Sequence, residues 1–329
     1  MGALTERVRT HVSVGVVSFN TRDLTLRCLA ETERVVAGLE PGLATVLTLV
    51  DNGSTDGTVE AALRAHPTWR VLVLADNPGY GAALNRAFAA SPADFYLALN
   101  SDVFLEPAAL ARLLVLLERE PRCGLAGPTL LYADGTPQSS AKRLPDLGFA
   151  LGEALWLYRL FPSRARRFYY ADTPGVPEVV EAVSGAAMLI RGEAFTRVGG
   201  FDEAFHMYFE ETDLCRRLGT AGFTVRLDRG ARAAHWFAAS TRQTTVREVE
   251  YWLSYVRYVA KHEGAGAARA LSAAVAFATA VRMAALPLKY PPWSRARAAV
   301  LGVKLDACRR LLAGLRRLRN TGAVARVGS

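Results

Sequence analysis

Four short apolar runs, at residues 12–17, 45–50, 71–74 and 95–99, restrict the fold of this 329-residue chain more than any other feature. A helix-patterned stretch follows each run, at residues 24–36, 58–65, 81–89 and 107–118. Pro107 opens the last of these at a position where a helix tolerates proline. Strands alternating with helices predict a mostly parallel α/β sheet with right-handed crossovers. Asp51 and Asn100 fall immediately after the second and fourth runs. Sheets of this class bind their ligands beyond the carboxyl ends of the strands. No internal repeat is present.

The chain is 51% hydrophobic, enough for a sizeable core in one large domain or two small ones. Cys28, Cys123, Cys215 and Cys308 are widely spaced, with no CxxC pair. They read as free thiols in a reducing compartment. The opening stretch MGALTERVRTHVSVGVV lacks the apolar core and cleavage site of a signal peptide. A cytoplasmic protein is expected. Its net charge of +9 is concentrated at one end. Residues 289–329 carry ten Lys/Arg against one acid, Asp306, which accounts for the whole excess.

Residues 133–180 are rich in Pro, Gly and Arg, and are expected to form a mobile loop with one short helix near residues 149–160. Beyond residue 240 two helices are expected. Val246, Val249, Leu253, Val256 and Ala260 recur at helical spacing within residues 245–261. Leu301, Leu305, Cys308, Leu312 and Leu315 repeat the pattern in the basic tail. Between them, residues 270–281 form an apolar run of twelve, short of the ~20 residues that span a bilayer. A surface-lying amphipathic helix fits that run better. The tail suits either an anionic membrane surface or a partner subunit.

Three stretches carry ligand-binding chemistry. In TLVDNGSTDGT (48–58), Asp51 leaves a strand end, where it suits a nucleotide's base or ribose, and Ser54 or Asp56 suits a helix cap. The same stretch also reads as a plain strand–turn–helix. NPGYGAALNRA (77–87) is a Gly-rich turn whose free N–H groups favour an anion. It is neither GxGxxG nor a GxxxxGK[ST] phosphate loop, which weakens dinucleotide and ATPase assignments. In LALNSDVFLEP (97–107), Asp102 suits a hard divalent cation that also holds a diphosphate, or simply a helix cap.

VVSFN (16–20), VDNGSTDGT (50–58), NPGYGAALNRA, LNSDV (99–103), VSGAAMLIRGEAF (183–195), GGFDEAFHMYFEETDLCRRL (199–218) and AAHWFAAST (233–241) occur in that order. Together they resemble the family 2 inverting glycosyltransferases of the GT-A fold, and within them the rhamnosyltransferase-like branch. The resemblance covers residues 12–262. It implies a Rossmann-like, mostly parallel sheet flanked by helices with a C-terminal helical extension. It places a GT-A catalytic domain at 1–240, with a nucleotide-sugar half at about 1–130 and an acceptor half at about 131–240. The basic extension would be 241–329.

The same resemblance implies a nucleotide-sugar donor, a divalent metal (Mg²⁺ or Mn²⁺) and inversion at the anomeric carbon. Phe19, Asn20, Asp51, Asn52, Asn77, Gly79, Tyr80, Gly81, Asn85, Asn100, Ser101 and Asp102 would frame the nucleotide-sugar. Ser184, Gly185, Ala186 and Trp236 would meet the donor sugar or acceptor. Asp102 occupies the last position of the family's DxD-type motif, which here reads Asn100-Ser101-Asp102 without the first acid. His235 falls where relatives place a metal-binding His, although a core histidine is equally compatible with its setting. The family pattern YFEDVDLCRR is matched by Tyr208-Phe209-Glu210-Glu211-Thr212-Asp213, which makes Glu211 the implied general base, with Glu210 as neighbour. Acids in a first helical turn also simply favour the helix dipole, and Asp213 suits a pair with Arg216 or Arg217.

The implied activity is transfer of a sugar, L-rhamnose from dTDP-rhamnose, to a hydroxyl of a glycan or lipid-linked acceptor in polysaccharide or cell-wall biosynthesis. The location would be peripheral, at the inner face of the plasma membrane. The alternatives are another hexosyl- or galactofuranosyltransferase, a sugar nucleotidyltransferase, or a non-catalytic nucleotide-sugar binder. A nucleotidyltransferase needs a Gly-rich loop with Arg and Lys after the first strand, where this chain has SFNTRD. No nucleic-acid partner is expected, since no zinc-finger spacing or RNA-binding aromatic signature accompanies the tail. The oligomeric state is left open.

Overall fold

The computed structural model describes residues 10–40, 43–161, 163, 178–236, 244–290 and 295–320. Each apolar run becomes a strand: β1 (His11–Ser18), β2 (Ala44–Asp51), β3 (Arg70–Val73) and β4 (Phe95–Asn100). Each is followed by a helix or turn-plus-helix, namely α1 (Arg22–Ala37), α2 (Thr58–Ala65), α3 (Tyr80–Ala90) and, after the short β5 (Val103–Leu105), α4 (Ala109–Arg119). β1 is buried from Val12 to Ser18 because both faces of the sheet are covered. That is why its sequence is a continuous apolar run. Leu110, Leu113, Leu114 and Leu117 of α4 are buried at helical spacing, the face that joins the core.

The parallel register fixes the site edge. β1 pairs with β2 so that Ser18 lies opposite Asp51, and with β4 so that Val17 lies opposite Asn100. Three strand ends therefore deliver their polar residues to one edge of the sheet.

The chain continues through β6 (Cys123–Leu131), β7 (Ala141–Lys142), α5 (Leu147–Ala154), β8 (Val179–Val180), β9 (Ala182–Val183), β10 (Ala187–Arg191), α6 (Gly192–Arg197), α7 (Glu210–Thr220) and β11 (Thr224–His235). The main sheet has nine strands in the order β3-β2-β1-β4-β10-β6-β11-β5, with β8 on β11. β10 runs antiparallel between β4 and β6, and β5 is antiparallel to β11. The rest of the ladder from β3 to β4, and β6 with β11, is parallel.

Two compact units partition the chain. The first comprises Met1–Arg143, Tyr170–Ala204 and Glu210–Ser240, and contains the sheet. The second comprises Leu144–Tyr169, Phe205–Phe209 and Thr241–Ser329. Residues 144–161 and 205–209, which the sequence assigns to the acceptor half, thus group with the C-terminal helices. The cause is apolar packing. Ala150 and Ala154 of α5, with Phe205 and Phe209, share a buried cluster with Tyr255, Val256, Tyr258 and Val259. The short helix expected near residues 149–160 is α5, and the stretch expected to be a loop also carries β7. Its residues 162 and 164–177 lie outside the described residues.

Within the second unit, α8 (Thr244–Lys289) is broken at Gly264, which has φ +90° and ψ 171°. α9 (Arg295–Asn320) buries Ala307, Cys308, Leu311, Leu315 and Leu318, a stripe that includes two of the five positions expected. Val256 and Ala260 of α8 are likewise buried as expected, alongside Tyr255, Tyr258 and Val259. The apolar run at 270–281 is continuous with a longer helix. By length and composition alone α8 is long and apolar enough to cross a membrane, a test that core helices of soluble proteins also pass.

Candidate active site

The loops leaving β1 and β2 are laced together. Asn20, at φ +52°, donates its backbone N–H to the Ser54 hydroxyl (2.8 Å), and its side-chain oxygen accepts from the Thr55 N–H (2.8 Å). Arg22 N–H reaches Asp56 Oδ2 (2.9 Å). Phe19, on the same loop, is exposed.

Behind this rim, Asp51 is fully buried. Its Oδ1 accepts from the N–H groups of Gly53 (3.2 Å) and Ser54 (2.7 Å), while its Oδ2 is buried with no hydrogen-bond partner. Asn52 Nδ2 donates to Asn77 Oδ1 (3.1 Å) and to the Gly79 carbonyl (3.3 Å), and its Oδ1 is also buried without a partner. Two adjacent acceptors buried without donors cost free energy unless a ligand supplies N–H or O–H groups. A pyrimidine or ribose has such groups.

A continuous path leads from there to the acids. Asn77 Oδ1 accepts from the Gly79 N–H (3.2 Å), and Tyr80, next in the chain, donates its hydroxyl to the Gly185 carbonyl (2.7 Å). Gly185 lies against Glu211, so that a Cβ at position 185 would stand 3.2 Å from Glu211 Cβ. Gly81 gives Phe201 and Glu210 the same room. Asn85, by contrast, spends its amide on structure. It accepts from Phe201 N–H (2.9 Å) and donates to the Phe201 carbonyl (2.9 Å).

At the end of β4, Asn100 N–H donates to the Ala186 carbonyl (2.9 Å), and Ser101 bonds the Thr21 hydroxyl (2.9 Å). Ser184 Oγ accepts from Ala186 N–H (3.3 Å). Asp102 is buried, with Oδ1 3.5 Å from His235 Nε2. Gln138, which the sequence reading passed over, fixes that histidine. Its Nε2 donates to the His235 carbonyl (2.7 Å), which leaves its Oε1 to accept from His235 Nδ1–H (2.9 Å). Nε2 is then the nitrogen turned to the carboxylate, at a separation longer than a normal hydrogen bond.

An imidazole nitrogen facing a carboxylate at that spacing suits a divalent cation. Among the described residues no set of three His, Cys, Asp or Glu side chains gathers to hold one. Among the described residues Asp102 and His235 are thus the pair a cation would meet there, and cations with few protein ligands share their shell with substrate phosphates. Trp236 packs edge-on to Phe104, and the Arg27 guanidinium lies 4.3 and 4.5 Å from those two ring centres, Phe104 and Trp236.

The acids open α7. Tyr208 and Phe209 precede them at φ +66° and +69°, a left-handed conformation that side chains other than Gly seldom adopt. Glu210 and Glu211 are both buried, yet they differ in proton affinity. Burial, and then the charge of Glu211, pushes the Glu210 carboxyl up to about 8. Glu210 Oε2 has no hydrogen-bond partner. Burial acts on Glu211 too, but the Lys142 ammonium, 2.6 Å from Oε1, outweighs it and holds the carboxyl below its ordinary value. Lys142, like Gln138, was not singled out in the sequence. Asp213 pairs with Arg217 (2.7 Å), and Leu214 and Leu218 are buried in the core. Asp213 is therefore a helix-turn residue.

Comparisons with known proteins agree with this architecture. The model for glycosyl transferase family 2 matches residues 13–197. An N-acetylglucosaminyl-diphospho-decaprenol L-rhamnosyltransferase of Mycobacterium tuberculosis is 34% identical over 235 residues, covering 66% of this chain and 75% of that protein. Rhamnosyltransferase WbbL of Escherichia coli is 36% identical over 93 residues, covering 28% of this chain and 33% of its own. Among solved structures, the mannosyltransferase PcManGT of Pyrobaculum calidifontis, in complex with GDP-Man and Mn²⁺, superposes with a TM-score of 0.53 at 18% identity. It covers 97% of this chain and 87% of that one.

Proposed function

The chain belongs to glycosyl transferase family 2 and is a glycosyltransferase of the GT-A fold. On that premise we propose that it inverts configuration while moving L-rhamnose from dTDP-L-rhamnose to a hydroxyl of a glycan or lipid-linked acceptor, in polysaccharide or cell-wall assembly. The 34% identity to a rhamnosyltransferase supports the choice of sugar. The division of labour between two adjacent carboxyls carries the choice of mechanism: one is held ionised by Lys142 and the other is kept protonated by burial.

The steps follow from the residues. Asp51 Oδ2 and Asn52 Oδ1 accept hydrogen bonds from the base and ribose of the donor. The acceptor hydroxyl lies against Glu211, whose carboxylate takes its proton as the oxygen attacks the anomeric carbon. The bond to the leaving dTDP breaks on the opposite face, so the configuration inverts. Glu210, protonated at neutral pH, donates a hydrogen bond to the acceptor or sugar rather than accepting a proton. Asp102 and His235 would hold a divalent cation, which when bound neutralises charge on the departing diphosphate. Gln138 keeps His235 turned towards that position.

The protein acts at the inner face of a membrane in this proposal. The second unit exposes Phe277, Val281, Leu288, Val300 and Val303 on α8 and α9, whose charged side chains are mainly basic. That combination suits an anionic bilayer.

A donor panel of dTDP-rhamnose, UDP-hexoses and GDP-mannose, scored by hydrolysis with and without Mg²⁺ or Mn²⁺, tests the donor and the metal. Glu211→Gln is expected to keep donor affinity, measured by calorimetry, and to lose roughly 10²–10⁴-fold in turnover. Unchanged turnover would remove Glu211 from the role of base.

A further inference from the structure

The segment at residues 138–142, which ends in β7 and which the sequence marks only as the start of a loop, sets a lysine against the acid pair. We propose that Lys142 is the positioning residue of the base: it aims the Glu211 carboxylate and keeps it ionised, a role that rests on Glu211 being the base.

The ammonium is placed by its backbone. Residue 142 pairs with Ala182, and residue 141 with Val183, in the β7–β9 ladder. One residue earlier, the Ser140 carbonyl accepts from Ser184 N–H (2.9 Å), and the Ser140 hydroxyl accepts from Leu130 N–H (2.8 Å). Gln138 is anchored on His235. Gln138, Ser140 and Lys142 thus reach β11, β6 and α7 from a single short stretch. Lys142 is held by the pairing of its own strand and by the anchored residues that precede it, and arrives at Glu211 from a fixed direction.

The contact also selects an oxygen. Lys142 Nζ donates to Glu211 Oε1 (2.6 Å), and the Thr212 hydroxyl donates to the same atom (3.2 Å). Oε2 receives neither bond, which makes it the oxygen that takes the acceptor's proton. Gly185, with no side chain, lets the Glu211 stem lie flat against its backbone.

Other titratable groups bear on Glu211 from the elements around it. Tyr80 comes from α3, and Glu210 and Cys215 from α7 itself. Burial pushes the Tyr80 phenol well above its usual value and the Cys215 thiol up to about 12, so both stay neutral through the working range. Among the described residues, Lys142 is then the cation that favours the charged form of Glu211, against the opposing influence of Glu210. An ammonium at this distance favours the ionised form of a carboxyl.

The test is a titration read in two ways on the full chain. The ¹³C carboxyl signal of Glu211, assigned by its loss in Glu211→Gln, is followed against pH in the wild type, Lys142→Met and Lys142→Arg. The pH profile of kcat/KM is measured on the same proteins with dTDP-L-rhamnose, as release of dTDP. In Lys142→Met the carboxyl should titrate about one or more units higher. The acid limb of kcat/KM should climb by the same amount, with KM for the donor within about two-fold, and Lys142→Arg should restore both. Lys142→Gln replaces the methionine variant if the latter does not fold. An unmoved carboxyl signal would overturn the role of Lys142 and leave Glu211 as base. A carboxyl that moves while the acid limb stays in place would overturn Glu211 as the base, and the role of Lys142 with it.

Discussion

Glu210 and Glu211 are adjacent in sequence, similarly buried and shifted in opposite directions, because among the described residues Glu211 is the one hydrogen-bonded to the Lys142 ammonium. The consequence for stability has a definite sign. Glu210 is raised in the folded chain from 4.5 to about 8. The folded state therefore holds its proton more tightly than the unfolded state does. Its contribution is fully present below the ordinary value and is lost as pH rises towards 8. Glu210→Gln removes that loss. The variant should match the wild type near pH 4.5 and exceed it at pH 8.5 by at least about 1 kcal/mol, measured by urea unfolding. Parallel pH curves for the two proteins would show that Glu210 does not hold a proton in the fold. Glu211 has the reverse sign, with stability present above its ordinary value and lost as pH falls through its lowered one. Because the two carboxyls act on each other, the comparison reads the pair: removing the Glu210 charge also eases ionisation of Glu211, which lies on the acid side of the window and leaves the alkaline difference to Glu210. The acids themselves were legible in the sequence through the motif around them. Their partners were not. Lys142 meets Glu211 across 69 positions, and Gln138 meets His235 across 97, so no local spacing announces either contact.

Elements obey local periodicity, and their neighbours do not. The four apolar runs predict β1 to β4 to within a residue or two. For β1 and β4, burial on both faces writes itself into the sequence as unbroken apolar residues, whereas β3 is an edge strand with no fully buried residue. The insertion of β10 antiparallel between β4 and β6 leaves no such mark, since strand direction is set by the path of the chain and not by its pattern. The same holds for α5, whose packing on α8 depends on residues about a hundred positions away. Gly264 is an element boundary that local chemistry does explain. At φ +90° and ψ 171° it occupies a region essentially restricted to glycine, and no atom lies within 4 Å of where a Cβ would be. Gly264→Ala should therefore destabilise through backbone conformation alone, by about 1–3 kcal/mol in chemical denaturation. An unchanged midpoint would mean that α8 straightens at no cost.

At the scale of the whole molecule, charge is segregated along the chain: residues 1–288 are neutral overall and the tail carries the full +9. Deleting the tail is a poor probe of that asymmetry. α9 buries Leu311, Leu315 and Leu318 in the core of the second unit, so truncation would expose that core as well as remove charge. Exposed arginines separate the two effects. Arg309, Arg316 and Arg319 lie on the solvent side of α9. Near an anionic surface each basic residue is worth about 1 kcal/mol. The triple variant Arg309→Gln, Arg316→Gln, Arg319→Gln should then bind phosphatidylserine vesicles about 100-fold more weakly. The thermal unfolding midpoint should stay unchanged. The wild type should itself release from vesicles as salt rises, because screening shortens the reach of exposed charge to within ~10 Å at 0.1 M. If the triple variant sediments with vesicles as the wild type does, and salt has no effect, apolar insertion by residues such as Phe277 and Leu288 outweighs charge. Phe277→Ser with Leu288→Ser is then the pair expected to free the protein.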